Sequence, residues 1–284
     1  MRLVTIVEAD RMRAALVRDG RVLPIVMAGT DLESIRAIAA GGFGALTEIA
    51  AWADEQREAD WRRLDEVELG PVVPDPGAIY AIGLNYRPPD ASADDPGRPP
   101  RPLVYGKAAN SVAADGATLA WDRSLTDNVD AEVELAIVIG EPAWRVGREE
   151  AMRHVFGYTV VDDVSSRDAW LDGDQWLIGK SMPGFCPIGP SVVTADELSP
   201  TDLGLRCAIN GEPIQDGRTS RMRFTIPEIV AFLTRHVSLR PGDIVATGTP
   251  HRLAAPPGPD RRLAPGDRVT CWIEGIGELT TRIA

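Results

Sequence analysis

The chain has 284 residues, of which 44% are hydrophobic and 25% charged, and its formal net charge is −12 at pH 7. This length allows one large or two modest domains, and the acidic balance excludes the basic surface that nucleic-acid binding needs. No apolar run reaches the roughly 18 residues of a membrane span, and the three cysteines lack metal-ligand spacing, so we expect a cytoplasmic protein that does not cross a membrane.

The first 70 residues have the pattern of a small N-terminal α/β unit. Two strand-like runs, at 3–7 and 22–25, flank a turn at Asp19-Gly20, and a helical pattern from about 32 to 63 is broken near Gly41-Gly42. A proline cluster then indicates a boundary. We therefore predict a small domain at 1–70 and a second domain at 71–284.

The second domain has many strand-like runs and few helical ones. The runs rich in β-branched residues lie at 79–82, 135–139, 158–161, 205–209, 244–247 and 269–273, and the short helical patterns lie near 149–154 and 227–235. This pattern favours a β-rich α+β fold over alternating β and α units. Two proline-rich stretches, 88–102 and 254–265, are predicted as loops because proline disrupts both helices and central strands.

Two carboxylates open one of these strands. Glu132 and Glu134 are two residues apart, so their side chains point to the same face of the strand. Adjacent carboxylates repel each other, and burying them is costly unless a cation lies between them. Oxygen ligands suit Mg²⁺, Mn²⁺ or Ca²⁺ better than zinc. The alternative interpretation is a strand edge that faces solvent.

A second pair of carboxylates ends the next strand. Asp162 and Asp163 point in opposite directions if the strand continues through them. One of them can complete a three-carboxylate site, and the other can pair with Arg167.

Short motifs from residue 78 to the end occur in the order typical of one enzyme family. They include Ile82-Gly-Leu-Asn-Tyr86, Glu132-Val-Glu-Leu-Ala136, Asp163-Val-Ser-Ser-Arg-Asp168, Gly179-Lys-Ser181, Asn210-Gly-Glu212, Pro241-Gly-Asp243, Thr247-Gly-Thr-Pro250 and Glu274-Gly-Ile-Gly277. Each motif alone is unspecific, but the ordered set resembles the fumarylacetoacetate hydrolase family. This resemblance implies a catalytic domain with a rolled, mixed β-sheet, a small N-terminal domain and a homodimer.

The resemblance also implies the roles of particular residues. It makes Glu132, Glu134 and Asp163 the metal ligands, with Mg²⁺ or Mn²⁺ expected and Ca²⁺ possible, and it places Lys180 beside the metal. The chain has only two lysines against 28 arginines, and both fall in family motifs. The expected substrate-binding residues are Tyr86, Lys107, Arg167, Gln215 and Thr249, with Lys107 at the approach to the pocket. For Arg167, a purely structural salt bridge is the alternative.

The family acts on 2-oxo or 1,3-dicarbonyl acids, and hydrolysis of a carbon–carbon bond is its default reaction. Hydrolytic members carry a His and a Glu three and six residues beyond the tyrosine, where this chain has Pro89 and Ser92. Because a missing general base is costly to hydrolysis, decarboxylation, keto–enol tautomerisation and double-bond isomerisation stay open. A non-catalytic protein that binds metal and ligand is a further alternative.

Other residues can supply the missing base. His251 follows the Thr249-Pro250 motif and is a candidate if that loop borders the pocket. The carboxylates in the proline-rich loop, Asp90, Asp94 and Asp95, are weaker candidates. We expect His154 and His236 to have surface or capping roles near helix ends, and Cys186 to be a buried thiol rather than a nucleophile.

Overall fold

The structure is a computed structural model that describes residues 1–91, 97–168, 175–253 and 262–284. Its strands are β1 (Arg2–Glu8), β2 (Arg11–Arg18), β3 (Arg21–Pro24), β4 (Arg62–Arg63), β5 (Ile79–Gly83), β6 (Leu103–Lys107), β7 (Val112–Ala113), β8 (Thr118–Leu119), β9 (Val129–Asp130), β10 (Val133–Ile139), β11 (Val155–Asp162), β12 (Ser165–Ser166), β13 (Cys186–Thr194), β14 (Gly204–Ile209), β15 (Glu212–Arg218), β16 (Ile244–Ala246), β17 (Arg268–Ile273) and β18 (Gly277–Ile283). The α-helices are α1 (Ile35–Asp54), α2 (Trp176–Lys180) and α3 (Ile226–Thr234).

A large mixed sheet and a smaller sheet pack against each other. In the large sheet the strand order is β4-β3-β2-β1-β13-β11-β10-β16-β5-β6, with β7 paired to β13. The β16–β5 and β13–β7 pairs are parallel, whereas β10 is antiparallel to both of its neighbours. The smaller sheet has the order β15-β14-β17-β18-β8 and contacts β10, β11 and β13. Strands β9 and β12 form a separate pair.

Strand β10 is buried on both faces. Leu135 and Ile137 lie in a core cluster with the smaller sheet, and Ala136 and Val138 lie in a cluster with α1. Burying each such Leu, Ile or Val side chain stabilises the fold by about 1.5–3 kcal/mol. A strand with two buried faces therefore reads as a continuous apolar run, which is why its position was predictable.

The N-terminal strands continue the large sheet. Strand β1 pairs with β2 on one side and with β13 on the other, where Arg2 lies opposite Val193. Helix α1 begins after Ser34, whose Oγ accepts a hydrogen bond of 3.1 Å from the Ala37 backbone N–H. The division into domains at 1–70 and 71–284 stays a prediction.

The predicted strands at 79–82, 135–139, 158–161, 205–209, 244–247 and 269–273 are confirmed as β5, β10, β11, β14, β16 and β17. The helix predicted from 32 to 63 is shorter, because α1 ends at Asp54 and residues 62–63 pair with β3 as β4. Pairing in the sheet thus overrides the helical pattern there. The predicted break in the helix is confirmed at Gly42, whose φ is +57°.

The predicted loop at 88–102 contains no helix or strand in its described parts, 88–91 and 97–102. Most of the second predicted loop, residues 254–261, lies outside the described residues, as do Ser92, Asp94 and Asp95. Among the residues that the structure describes, no helix is long and apolar enough to cross a membrane.

Candidate metal centre

The register between β10 and β11 brings three carboxylates to one face of the sheet. Glu134 lies opposite Val161, and one step further the Asp163 backbone N–H donates to the Glu132 carbonyl at 2.9 Å. Residues directly opposite each other share a face, so Glu132, Glu134 and Asp163 point the same way. These three residues, here called the carboxylate triad, are buried, and each offers an oxygen within 4.8 Å of the others. The chain therefore has an acidic triad able to bind a metal.

Asp162 points to the opposite face. Its Oδ1 accepts a hydrogen bond of 2.9 Å from the Glu132 backbone N–H, and its buried Oδ2 has no hydrogen-bond partner among the described residues. Burial raises the pKa of Asp162 to about 7. Of the two aspartates, Asp163 is thus the one that completes the triad.

The side chain of Arg167 pairs with Asp130 and Glu132 and not with Asp162. Its backbone N–H donates to the Asn128 carbonyl at 2.8 Å, next to the β9–β12 pair, which brings its side chain close to Asp130. Nη2 then donates to Asp130 Oδ2 at 2.9 Å and also to Glu132 Oε1. The sequence-based pairing of Arg167 with the second aspartate is therefore corrected, because the local strand pairing aims this side chain at Asp130.

Both lysines of the chain meet at Asp163. The Lys107 ammonium group is fully buried and donates to Asp163 Oδ1 at 2.5 Å and to the Val164 carbonyl at 3.2 Å. Lys180 donates to Asp163 Oδ2, and also to Glu132 Oε2 and Ser165 Oγ, each at 2.8 Å. Lys107 was expected at the approach to the pocket, but the structure places it in the interior against Asp163.

Tyr105 completes the surroundings of Asp163. Its hydroxyl donates to Asp163 Oδ2 at 2.6 Å, and its ring centroid lies 4.7 Å from the Lys180 Nζ. The ring of Trp176 packs against Tyr105 at a centroid distance of 5.1 Å. These contacts fix the position of the carboxylate and of the ammonium group beside it.

The triad is electrostatically uneven. Burial raises the pKa of Asp163, but Lys107 and Lys180 outweigh it and the net pKa lies below the usual range. For Glu132 burial is likewise outweighed, here by Lys180 and Arg167, so its pKa is also lowered. Burial and the charge of Asp163 instead hold the pKa of Glu134 well above its usual value. A cation among the three oxygens would relieve this repulsion.

The donor set fits a hard divalent cation. Three carboxylates supply oxygen ligands only, as Mg²⁺, Mn²⁺ and Ca²⁺ prefer. Burial lowers the pKa of Lys180, but Asp163 and Glu132 outweigh it, so the net pKa lies above the usual lysine value. Lys180 is thus a fixed positive charge in the metal-free protein.

Two members of the triad, Glu132 and Glu134, line a cavity of about 350 Å³, whereas Asp163 is fully buried and is not part of its lining. The cavity is lined by Ile82, Gly83, Leu84, Tyr86, Tyr105, Asp130, Glu132, Glu134, Arg167, Trp176, Lys180, Gln215, Thr249, Pro250, His251 and Arg252. This volume suits a small acid. The structure thus brings the predicted residues Tyr86, Arg167, Lys180, Gln215, Thr249 and His251 to one cavity.

Gln215 and Thr249 join the cavity wall to β10. Gln215 Oε1 accepts from the Val133 backbone N–H at 3.0 Å, and its Nε2 donates to Thr249 Oγ1 at 2.8 Å and to the Pro250 carbonyl at 2.7 Å. Thr249 in turn donates to the Val133 carbonyl at 2.8 Å. Both side chains therefore position the strand that carries Glu132 and Glu134, and their contact with substrate stays a prediction.

His251 is the histidine in the cavity wall. Its Nε2 lies 3.2 Å from the Tyr86 carbonyl oxygen. A carbonyl only accepts hydrogen bonds, so Nε2 carries the proton and a neutral ring keeps its lone pair on Nδ1. His154 and His236 lie elsewhere, one beside the Glu141 carbonyl and the other against the Phe232 ring.

The segment after Tyr86 does not form a helix as far as residue 91. Pro89 and Asp90 lie in an exposed turn, and neither lines the cavity. Asn85 anchors the start of this segment by donating to the Thr247 carbonyl at 2.7 Å and accepting from the Phe224 backbone N–H at 2.8 Å. Cys186 is buried, and burial raises its pKa to about 12, as expected of a thiol that is not a nucleophile.

Several residues of the cavity were not predicted from the sequence. Asp130 stands two residues before Glu132, and Tyr105 two residues before Lys107, so the alternation used for the glutamates would have found both. Trp176 and Arg252 had no comparable signal, because only the tertiary fold brings them to the site.

Comparisons with known proteins agree with this geometry. The family description "Fumarylacetoacetate (FAA) hydrolase C-terminal" matches residues 78–284. A fumarylacetoacetate hydrolase from psychrophilic Exiguobacterium antarcticum superposes with a TM-score of 0.88 at 30% identity, covering 100% of this chain and 99% of that one.

Two further solved structures match over 100% of this chain and 99% of their own chains. One is a 5-carboxymethyl-2-hydroxymuconate delta-isomerase from Mycobacterium smegmatis, with a TM-score of 0.77 and 28% identity. The other is a maleylpyruvate hydrolase from Sphingobium sp. SYK-6 in complex with manganese (II) and pyruvate, with a TM-score of 0.81 and 25% identity. The predicted β-rich fold and the prediction of an enzyme are confirmed, and the chain belongs to the fumarylacetoacetate hydrolase family.

Proposed function

We propose that the protein is a divalent-metal-dependent enzyme that acts on a 2-oxo or 1,3-dicarbonyl acid of the acylpyruvate type. The observation that carries this proposal is the buried carboxylate triad, of which Glu132 and Glu134 line a small cavity together with Lys180. Mg²⁺ or Mn²⁺ bound there would supply Lewis-acid stabilisation of an enolate oxygen. The manganese and pyruvate in the maleylpyruvate hydrolase from Sphingobium support the choice of ion and of substrate class.

The residues around the triad hold the site ready for this chemistry. Glu132 is held at both oxygens, by Arg167 at Oε1 and by Lys180 at Oε2. Asp163 is likewise held by Lys107 and Lys180. Partners of this kind orient metal ligands, and their loss typically costs 10- to 100-fold in affinity or activity. Lys180 also places a positive charge where an enolate or carboxylate of the substrate develops.

We propose hydrolysis of a carbon–carbon bond as the reaction, with His251 as the general base. Nδ1 of His251 would take a proton from the water that attacks the acyl carbonyl. The electrons of the broken bond pass to the carbon next to the 2-oxo group, which then takes up a proton. The products are a carboxylic acid and a 2-oxo acid. The position of His251 in the cavity wall supports this role.

A second candidate is a reaction without activated water, namely decarboxylation of a β-keto acid, keto–enol tautomerisation or double-bond isomerisation. The exposed turn at Pro89 favours it, because no base lies at that position. The delta-isomerase from M. smegmatis also supports it. In these reactions His251 would only transfer a proton, to the carbon that has lost CO₂ in decarboxylation or between two atoms of the substrate in tautomerisation and isomerisation.

The test combines metal control with product identification. Protein stripped with a chelator is reloaded with Mg²⁺ or Mn²⁺ and mixed with acylpyruvates and oxaloacetate, while the enol absorbance is followed. Two acid products indicate hydrolysis, released CO₂ indicates decarboxylation, and an unchanged mass indicates isomerisation or tautomerisation. We expect Glu132→Ala to lower turnover on the order of 10³-fold. Turnover that survives both chelation and this substitution would contradict the proposal.

Two broader expectations accompany this function. We propose a homodimer in the cytoplasm whose partner is a small-molecule acid, without nucleic-acid or membrane binding. Light scattering of the purified protein measures the first, with a mass near twice 30.6 kDa expected. If metal and ligand bind but no substrate of the panel is converted, the non-catalytic alternative replaces the enzyme.

A further inference from the structure

Leu84, at the end of β5, has a backbone conformation that leucine rarely adopts. Its φ is +55°, in the left-handed region, where a Cβ lies too close to the following carbonyl oxygen and where glycine or asparagine is better tolerated. The residue is also 62% exposed to solvent, although its side chain is apolar. Residues in such conformations cluster at functional sites, where the surrounding structure holds them in place.

Hydrogen bonds at and after this residue hold its conformation. The Leu84 carbonyl accepts from Arg223 Nη1 at 2.9 Å, and the Asn85 carbonyl accepts from the Arg223 backbone N–H at 2.6 Å. The Asn85 side chain donates to the Phe224 and Thr247 carbonyls at 3.1 and 2.7 Å and accepts from the Phe224 backbone N–H at 2.8 Å. The fold therefore fixes the direction of the Leu84 Cβ before any ligand binds.

Leu84 lies toward the opening of the cavity, away from Asp163. On β6 the side chains of Tyr105 and Leu103 point to the same face, about 6–7 Å apart along the strand. Tyr105 donates to Asp163, whereas Leu103 is 39% exposed. Leu103 pairs with Gly83 of β5, and Leu84 is the next residue. Exposure thus increases along this wall from Asp163 to Leu84.

Gly83, Leu84 and Trp176, here called the apolar rim, are an apolar part of the cavity wall. A Cβ added to Gly83 would lie 3.0 Å from the Trp176 ring and 3.0 Å from the Leu103 side chain, so only glycine lets both pack directly on the strand. The Trp176 ring also packs on Tyr105, which contacts Asp163. A ligand that extends from the carboxylate triad toward solvent along this wall would therefore meet an apolar surface.

We propose that Leu84 is a specificity-determining residue that packs against the acyl chain of the substrate, at the end remote from the 2-oxo acid group. The 2-oxo acid group would lie at the carboxylate triad beside Lys180, and the chain would extend over the apolar rim. The enzyme would then prefer substrates with an apolar chain of several carbons over those that end in an acetyl group. This inference rests on the proposed function for the 2-oxo acid group and adds the recognition of the remaining chain.

The experiment compares 2-oxobutanoate with 2-oxooctanoate, which share the 2-oxo acid group and lack the bond that a hydrolase would cleave. Their binding to the Mn²⁺-loaded protein is measured by calorimetry. Each methylene group that becomes buried contributes about fourfold in affinity. Two such groups over the apolar rim should therefore make 2-oxooctanoate bind about 10- to 20-fold more tightly.

Substitutions at position 84 test the side chain separately from the backbone. Leu84→Asn removes the apolar side chain but suits the left-handed conformation, so it should fold with an unchanged or higher melting temperature. The preference should fall to about threefold or less, and the affinity for 2-oxobutanoate should stay within about twofold. Leu84→Met keeps an apolar side chain of similar volume and should retain most of the preference. If Leu84→Asn does not fold, Leu84→Gly replaces it, with the same expected loss of preference.

The matched control is Leu125→Asn. Leu125 is 65% exposed, close to the exposure of Leu84, but it does not line the cavity. This substitution should leave the preference for 2-oxooctanoate unchanged. A loss as large as that in Leu84→Asn would show a general effect of removing a surface leucine and would overturn the role of Leu84.

The proposed function and this inference fail in different ways. If the binding of 2-oxobutanoate does not depend on Mn²⁺, the proposed function fails, and the inference that rests on it fails too. If this binding depends on Mn²⁺ but 2-oxooctanoate binds no more tightly, only the inference fails. If 2-oxooctanoate binds more tightly and keeps its full advantage in Leu84→Asn, the chain lies against another part of the wall, and the role of Leu84 is overturned.

Discussion

At the scale of single residues, Glu134 is held differently from the other two members of the carboxylate triad. Glu132 and Asp163 each pair with ammonium or guanidinium groups, whereas Glu134 Oε2 accepts a hydrogen bond of 2.8 Å from the Gly248 backbone N–H. Burial and the charge of Asp163 hold its pKa well above the usual value. Glu134 is therefore the carboxylate that most favours its protonated form while the metal is absent.

This asymmetry predicts that metal binding releases protons. A bound dication stabilises the ionised form of Glu134, so it lowers a pKa that was raised, and the proton leaves. The affinity for Mg²⁺ or Mn²⁺ should therefore fall as the pH is lowered toward the ordinary range of a glutamate. Calorimetry in two buffers with different ionisation enthalpies measures the number of protons released.

The matched variants for this prediction are Glu134→Gln and Glu48→Gln. The first removes the titrating group and should abolish most of the proton release along with at least tenfold of the affinity. The second changes an exposed glutamate of α1 and should behave as the unsubstituted protein does. Metal binding without proton release between pH 5 and 8 would show that Glu134 is already ionised, contrary to this account.

His251 gives the second prediction at this scale. If its Nδ1 is the general base, His251→Asn should lower the rate of hydrolysis by about 10²- to 10⁴-fold and leave Mn²⁺ affinity within about twofold. Steady-state rates and metal titrations check the two parts separately. His236→Asn, which changes a histidine packed on the Phe232 ring, is the control and should keep its activity. Hydrolysis that persists in His251→Asn would assign the base to another residue.

At this scale, the sequence predicts which side chains lie together where their positions along one strand decide the direction in which they point. The alternation of side chains explains the grouping of Glu132 and Glu134, and strand pairing then adds Asp163. It cannot reveal that Lys107 lies in the interior, since burial depends on residues distant in sequence. The position of Arg252 in the site could not be predicted for the same reason, because only the fold brings its side chain into contact with Asp130.

At the scale of elements, one strand that was not predicted has residues that contradict simple rules. Strand β13 contains Pro187, Gly189 and Pro190, which usually mark turns, and its pairing with β11 shifts register between Tyr158 and Val160. The strong pairing partners on both sides compensate for these residues. Strands with continuous apolar runs, such as β10, were predictable because both of their faces are buried.

Helix α1 contains two glycines that allow a matched test. Gly42 has φ +57° and ψ −144°, which only glycine adopts readily, whereas Gly44 lies in ordinary helix. A Cβ at either position would meet no atom within 4 Å, so backbone conformation alone distinguishes them.

We therefore expect opposite effects on the free energy of unfolding. Gly42→Ala should destabilise the protein by about 1–3 kcal/mol, because it forces a side chain into a strained backbone conformation. Gly44→Ala should stabilise it by about 0.5–1 kcal/mol through helix propensity. Urea unfolding of both variants measures the difference. A stabilising Gly42→Ala would mean that α1 runs without a break in solution.

At the scale of the whole molecule, the N-terminal segment covers one face of the catalytic sheet. Of the 22 buried residues in the cluster between α1 and the large sheet, 11 come from residues 1–70 and 11 from the remainder. Ile35 and Ile38 of α1 lie there with Val138 and Ile188. The order β1-β13-β11-β10 also places the first strand in the same sheet as β10, which carries Glu134, with β13 and β11 between them.

This shared core predicts that residues 71–284 do not fold alone as the full chain does. Removing residues 1–70 exposes a buried face and leaves β13 without β1. Each large apolar side chain that loses its burial costs about 1.5–3 kcal/mol, so the loss of several of them together reaches a typical total stability of about 5–15 kcal/mol. We expect the fragment to aggregate or to melt without a cooperative transition, and calorimetry beside the chain of 284 residues measures this. A fragment that melts cooperatively and binds Mn²⁺ with full affinity would instead make residues 1–70 an independent domain, and the sheet pairing between β1 and β13 would then be an interface between domains rather than part of one core.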